Sequence, residues 1–127
     1  MRQPIPTEIR QIRSEKRLEI AWNTGEKFSY TTEYLRTHCP CADCQGHTPD
    51  QAKLIDGKQD VDVGSIIPVG HYAIKLVFSD GHDTGVFSWE TLYELGEHQE
   101  VFWKTYLDKL QHHGKRRKAN VFPIKAL

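Results

Sequence analysis

Three cysteines fall within six residues, Cys39-Pro40-Cys41-Ala42-Asp43-Cys44, and the chain has no others. An odd number of thiols cannot pair off completely, and a disulfide framework spreads its cysteines along the chain to staple distant segments. A lone cysteine is usually a small buried hydrophobe, but three on one polar loop do not read that way. The cluster points instead to a metal ligand set, or to redox chemistry, in a reducing compartment. Structural zinc takes four ligands in a tetrahedron, and Cys-x-Cys-x-x-Cys is short enough for one loop to present three thiolates. Pro40 stiffens that loop and lowers the entropy lost on ordering it. Ala42 and Gly46 are small enough to let it close tightly. An iron–sulfur cluster normally takes four thiolates. A Cys-x-x-Cys redox pair would open a helix in a βαβ setting, which this sequence lacks.

The fourth ligand must come from elsewhere. His38 and His47 flank the cluster, His71 and His82 lie further on, and reach excludes none of them. A site built from one loop alone would tie nothing together. His82 on a hairpin tip would join two distant segments, which is how a structural metal contributes to folding. Spacing leaves all four open and tilts towards His82.

Strand periodicity surrounds the cluster. Ile9, Ile12, Leu18, Ile20 and Trp22 alternate with charged neighbours, Asn23-Thr24-Gly25 is a turn signal, and Lys27 to Tyr30 returns, which together predict an antiparallel meander. Thr31 to Arg36 reads as a short helical turn. Residues 38–47 read as a loop, because Pro40 cannot continue a helix and Gly46 ends any turn before it. The polar stretch 48–60 reads as an exposed connection. Val61, Val63 and Ile66-Ile67 predict a short strand, and His71 to Phe78 a longer one with Tyr72, Ile74, Leu76 and Phe78 on one face. Asp80-Gly81 then turns the chain into Gly85-Val86-Phe87, a hairpin with His82 at its tip. Ser88 caps a helix over 89–95, Gly96 interrupts, and a second helix over 97–113 sets Trp103, Tyr106, Leu107 and Leu110 at helical spacing before Gly114 closes it. Val121, Phe122 and Ile124 in the tail order only where they find a groove.

Strands first and helices last predict an α+β fold: an antiparallel β-sheet meander with C-terminal helices packed on one face and a zinc-pinned loop. The 127 residues fit one domain, with a core over about 9–113 and a basic tail over 114–127. Lys plus Arg and Asp plus Glu are both 17, and the missing basic excess argues against a nucleic-acid partner. The run Lys115-Arg116-Arg117-Lys118 reads as a solvated cap that suits a helix C-terminus. No run approaches the ~18 apolar residues that span a bilayer, and residues 1–8 hold no apolar signal core, so the expected location is the cytoplasm. His112-His113 read as exposed, Trp89, Trp103, Phe87 and Tyr93 as core, and Asp83 as a candidate to orient His82. Arg36 reads equally well as a partner of a thiolate or as half of a surface salt bridge.

Tyr34-Leu35-Arg36, Cys39-Pro40-Cys41-Ala42-Asp43-Cys44 and Gly81-His82-Asp83-Thr84-Gly85-Val86-Phe87-Ser88-Trp89 together resemble the gamma-butyrobetaine hydroxylase-like N-terminal domain family, over about residues 9–110. In that family the domain precedes the 2-oxoglutarate oxygenase domain of gamma-butyrobetaine and trimethyllysine hydroxylases, and it binds zinc through three cysteines and a histidine. The resemblance therefore implies Cys39, Cys41, Cys44 and His82 as zinc ligands. It does not carry over hydroxylase activity, because the oxygenase domain is absent. A related domain is appended to a P-loop ATPase of iron–sulfur cluster assembly, and many bacterial members stand alone. The resulting expectation is a small zinc-binding, non-catalytic interaction module whose partner is another protein or a second copy of the chain. The alternatives are an iron or iron–sulfur assembly accessory protein using the same ligands, and a small zinc enzyme, which would need an open coordination position.

Overall fold

A computed structural model describes residues 3–46 and 52–118. Apolar and charged side chains alternate along the first sheet. β1 (Pro6–Ile12), β2 (Arg17–Trp22) and β3 (Lys27–Thr31) run antiparallel in that order. Leu18, Ile20 and Trp22 are buried, while Arg17 and Glu19 pair at 3.0 Å on the opposite face. Gly25 turns β2 into β3 at φ +93°, where a side chain would be strained.

The second sheet is β4 (Val63–Val69), β5 (Ala73–Phe78) and β6 (Gly85–Ser88), again antiparallel in order. Ile74, Leu76 and Phe78 face the core as expected. Tyr72 does not share that face and is 62% exposed. β5 begins only at Ala73, so the alternation does not extend back into the turn, where Tyr72 lies against Gly70. On the outward face, Ile67, Lys75 and Val86 form one cross-strand row.

The helices start where their caps lie. Thr31 accepts a hydrogen bond from the Tyr34 amide at 3.1 Å and opens α1 (Thr32–Thr37), and Ser88 does the same for Thr91 at the head of α3 (Trp89–Glu97). Residues 38–47 are not all loop: Ala42–Gln45 form a single helical turn, α2. Pro40 precedes that turn and so breaks no hydrogen bond in it. Gly96 does not interrupt α3 either. It lies inside the helix, and the break falls at His98, before α4 (Gln99–His112). A Cβ at position 96 would stand 2.3 Å from Phe28 Cδ2 and 2.6 Å from Tyr30 Oη, so the glycine serves a close helix–sheet approach. Gly114 closes α4 at φ +65°, with the Gly114 amide donating to Gln111 O and the Lys115 amide to Leu110 O. These are the paired bonds of a Schellman motif.

One core joins both sheets and the helices through Leu18, Ile20, Tyr30, Leu76, Phe87 and Leu92. The Tyr30 and Tyr34 hydroxyls donate to Leu92 O at 2.6 Å and Leu95 O at 2.7 Å, and burial pushes both phenols well above their ordinary pKa. Tyr106 and Leu110 are buried, but Leu107 is 37% exposed. The buried stripe of α4 follows 103, 106 and 110 and leaves Leu107 at its edge.

The connection before β4 is not simply exposed. Ile55 packs on the core, its carbonyl accepts from the Tyr106 hydroxyl at 2.6 Å, and the Gly57 and Gln59 amides donate to Arg116 O and Arg117 O. Residues 48–51 lie outside the described residues, as do Val121, Phe122 and Ile124. In the basic run Lys115, Arg116 and Lys118 are exposed as expected of a solvated cap, but Arg117 departs from it. Arg117 makes two hydrogen bonds to Glu33, at 3.0 and 2.8 Å, and lies over the Trp103 ring. The Glu33 side chain is only 5% exposed, and a carboxylate so placed requires a cation.

Candidate metal centre

The sequence brings three cysteines to the core through two short helices. α1 is buried along its whole length, and the chain leaves it through Cys39-Pro40-Cys41 into α2. The Cys44 and Gln45 amides donate back to Cys41 O, and the Gln45 side-chain amide donates to Cys39 O at 2.9 Å. Cys39 and Cys44 are buried members of the core, and Cys41 is half-buried. On the other side, the β5–β6 turn presents His82. Gly81 takes φ +89°, the Phe78 amide donates to His82 O, and the His82 amide donates to Asp80 Oδ1 at 3.2 Å. β6 begins with glycine at position 85, where a Cβ would come within 3.1 Å of Cys39 Sγ.

The four ligand atoms of Cys39, Cys41, Cys44 and His82 all lie within 4.8 Å of one another. His82 Nε2 is 3.3, 3.4 and 3.7 Å from the sulfurs of Cys39, Cys41 and Cys44. With bonds of about 2.3 Å to sulfur and about 2.05 Å to nitrogen, the nitrogen–sulfur edge of a tetrahedron is about 3.6 Å. The three nitrogen–sulfur separations bracket that edge, so the imidazole stands where the fourth ligand of a tetrahedral ion would. The donor set, thiolate and imidazole with no carboxylate, suits zinc or iron rather than magnesium or calcium.

Without an ion, the three thiols titrate in different directions. Burial pushes the Cys39 and Cys44 thiols up, and the Arg36 guanidinium beside Cys44 opposes the rise there. Burial also acts to raise Cys41, but hydrogen bonds with Thr84 and the neighbouring thiols outweigh it and bring the group below its ordinary pKa. A divalent cation bound here displaces the thiol protons.

The other histidines among the described residues are elsewhere. His38 Nδ1 is 2.9 Å from Tyr34 O and its ring packs among Tyr34, Phe102 and Tyr106. His71 is exposed, and its carbonyl accepts from the Trp89 indole at 2.7 Å. His112 and His113 are exposed, and His47 lies outside the described residues. Phe87 is core, and Trp89, Tyr93 and Trp103 pack against it.

Arg36 partners a thiolate as one reading expected, and its salt bridge is a buried one rather than a surface one. Its Nη1 is 3.6 Å from Cys44 Sγ, and its Nε donates to Asp80 Oδ2 at 2.9 Å. Sequence reasoning missed Asp80 and Lys58. Lys58 Nζ lies 2.7 Å from Asp80 Oδ2, and Asp80 also holds the His82 amide. Burial works to raise the Asp80 carboxyl, but hydrogen bonds from Lys58, the His82 amide and Arg36 prevail and hold it at about 2. Asp80 read from sequence as a turn residue before glycine, and nothing local marks such a residue as an ion-pair hub.

The family described as gamma-butyrobetaine hydroxylase-like, N-terminal, matches residues 9–93. A solution structure determined by NMR is 35% identical, superposes with a TM-score of 0.81 and covers 99% of each chain. A second solution structure is 36% identical with a TM-score of 0.79, over 98% of this chain and 94% of that one. The crystal structure of a protein of unknown function of the DUF971 family, from Acidithiobacillus ferrooxidans, is 42% identical with a TM-score of 0.61, over 72% of this chain and 91% of that one. No curated protein matches the chain significantly. No helix among the described residues is long and apolar enough to cross a membrane.

Proposed function

The chain belongs to the gamma-butyrobetaine hydroxylase-like N-terminal family, and from that premise we propose that it is a non-catalytic interaction module whose fold is locked by one zinc ion on Cys39, Cys41, Cys44 and His82. The observation that carries the reading is the spacing of His82 Nε2 from the three sulfurs, 3.3 to 3.7 Å. Three thiolates and one imidazole fill the four-coordinate shell that zinc prefers, whereas a catalytic zinc keeps one position for water or substrate. The ion joins the segment after α1 to the β5–β6 turn, and so supplies fold rather than chemistry. Its partner is another protein, met in the reducing cytoplasm, where the thiolates persist.

Elemental mass spectrometry of untagged protein, purified anaerobically without chelator, tests this directly. The expected result is about one zinc per chain in the wild type and a marked loss in His82→Ala. Iron in place of zinc would transfer the site to an iron or iron–sulfur accessory role. Full zinc retention in His82→Ala would mean an open three-thiolate site and would reinstate a zinc enzyme.

A further inference from the structure

The chemistry of the zinc site leaves one charge unaccounted for. Three thiolates and a neutral imidazole around a divalent zinc sum to minus one. A buried net charge is costly unless a counter-charge and hydrogen bonds accompany it. The described surroundings supply that counter-charge in a specific form. Arg36, only 7% exposed, directs Nη1 to Cys44 Sγ at 3.6 Å and Nε to Asp80 Oδ2 at 2.9 Å. Lys58 lies on the same carboxylate oxygen at 2.7 Å. Two cations and one carboxylate sum to plus one, which balances the site.

We propose that Arg36 is the positioning residue of the metal centre, capping the Cys44 thiolate and, with Lys58 across Asp80, neutralising the loaded site. The proposal rests on the zinc reading above. Its geometry explains why a guanidinium stands here. One planar fork reaches both the cysteine loop and the hairpin, and Asp80 passes the constraint on through the His82 amide at 3.2 Å. The cap draws electron density from one sulfur only. Cys41, half-buried, takes a hydrogen bond from Thr84 instead, so loss of the guanidinium bares Cys44 alone.

The test measures zinc affinity by competition with a chromophoric chelator in the wild type, Arg36→Lys, Arg36→Gln and Lys58→Gln. Alkylation of each cysteine in the zinc-loaded proteins, mapped by mass spectrometry, is followed alongside. Arg36→Gln is expected to weaken zinc by about 10–100-fold, the range typical of outer partners of metal ligands, and to accelerate alkylation of Cys44 relative to Cys41. Arg36→Lys falls between it and the wild type. Lys58→Gln, which leaves the thiolate contact intact, shifts affinity in the same direction by a smaller factor. Equal affinity across the four proteins, or Arg36→Lys as weak as Arg36→Gln, overturns the proposal while zinc in the wild type stands. Should Arg36→Gln fail to fold, Lys58→Gln decides: unchanged affinity there refutes the charge balance. A wild type that binds no zinc instead removes the reading beneath it, and this proposal with it.

Discussion

Stripping the metal ion should lower stability by an amount that the chain path sets. An ion on these four ligands would link His82 to thiolates 38, 41 and 43 residues away along the chain. Treated as a crosslink, a closure of 38 residues removes about 4 kcal/mol of chain entropy from the unfolded state. The figure counts the chain restraint alone and omits the burial of Cys39 and Cys44 around an ion. Unfolding entropy near 60 °C is about 2.1 cal/mol/K per residue, so for 127 residues a loss of ~4 kcal/mol corresponds to a fall in Tm of about 15 °C. Circular dichroism melts of the zinc-loaded protein, the chelator-treated protein and the chelator-treated protein with zinc restored would measure it. The fall should reverse on restoring zinc and should be absent when His82→Ala is treated in the same way. A shift of only a degree or two, with complete zinc removal verified, would refute the crosslink argument, because the loop and the hairpin would then be held by packing alone.

Two predictions concern the surrounding frame. Gly96→Ala, which raises stability by about 1 kcal/mol in an ordinary helix interior, should here lower it by about 1–3 kcal/mol in urea denaturation, since the new methyl would meet Phe28 and Tyr30 at 2.3 and 2.6 Å; a gain would mean that α3 can move off the sheet freely. Arg117→Ala should cost about 1–3 kcal/mol by leaving the Glu33 carboxylate buried without its cation, a figure below that of a fully buried pair because Arg117 is 42% exposed. The paired change with Glu33→Ala should recover part of that loss, and a double variant no more stable than Arg117→Ala alone would contradict the ion-pair explanation.

What could be read from sequence followed periodicity and local chemistry. The meander of β1 to β3, the β5–β6 hairpin with His82 at its turn, and the cap Ser88 rest on short-range rules, and the structure has them where those rules put them. The cysteine cluster was legible because its spacing allows little else. Spacing alone could not choose among His38, His47, His71 and His82, because that choice depends on where a distant hairpin packs. The misreadings share the same origin. Gly96 looked like a helix breaker because glycine usually is one, and only Phe28 and Tyr30 across the interface explain it. Arg117 looked like a solvated cap because its carboxylate lies 84 residues away in sequence. Tyr72 looked like core because alternation does not announce where a strand begins.

These distant pairings converge on α1, and they connect the metal centre to the C-terminal segment. A helix of six residues has no stability of its own in water. α1 nevertheless buries every residue, two charged ones included. Thr31 caps its start, Tyr34 ties it to α3 through Leu95 O, Glu33 holds Arg117, and Arg36 holds Asp80. The first cysteine follows only one residue after its C-cap, so an ion on Cys39, Cys41 and Cys44 fixes the point at which the helix must end. By linkage such a coupling would run both ways: whatever orders α1 would favour a metal on these ligands, and a bound metal would favour the Glu33–Arg117 pair on the same helix. A buried helix too short to form alone, held by two salt bridges from separate parts of the chain and followed at once by the cysteine loop, would make a bound ion and the Glu33–Arg117 pair parts of one cooperative unit.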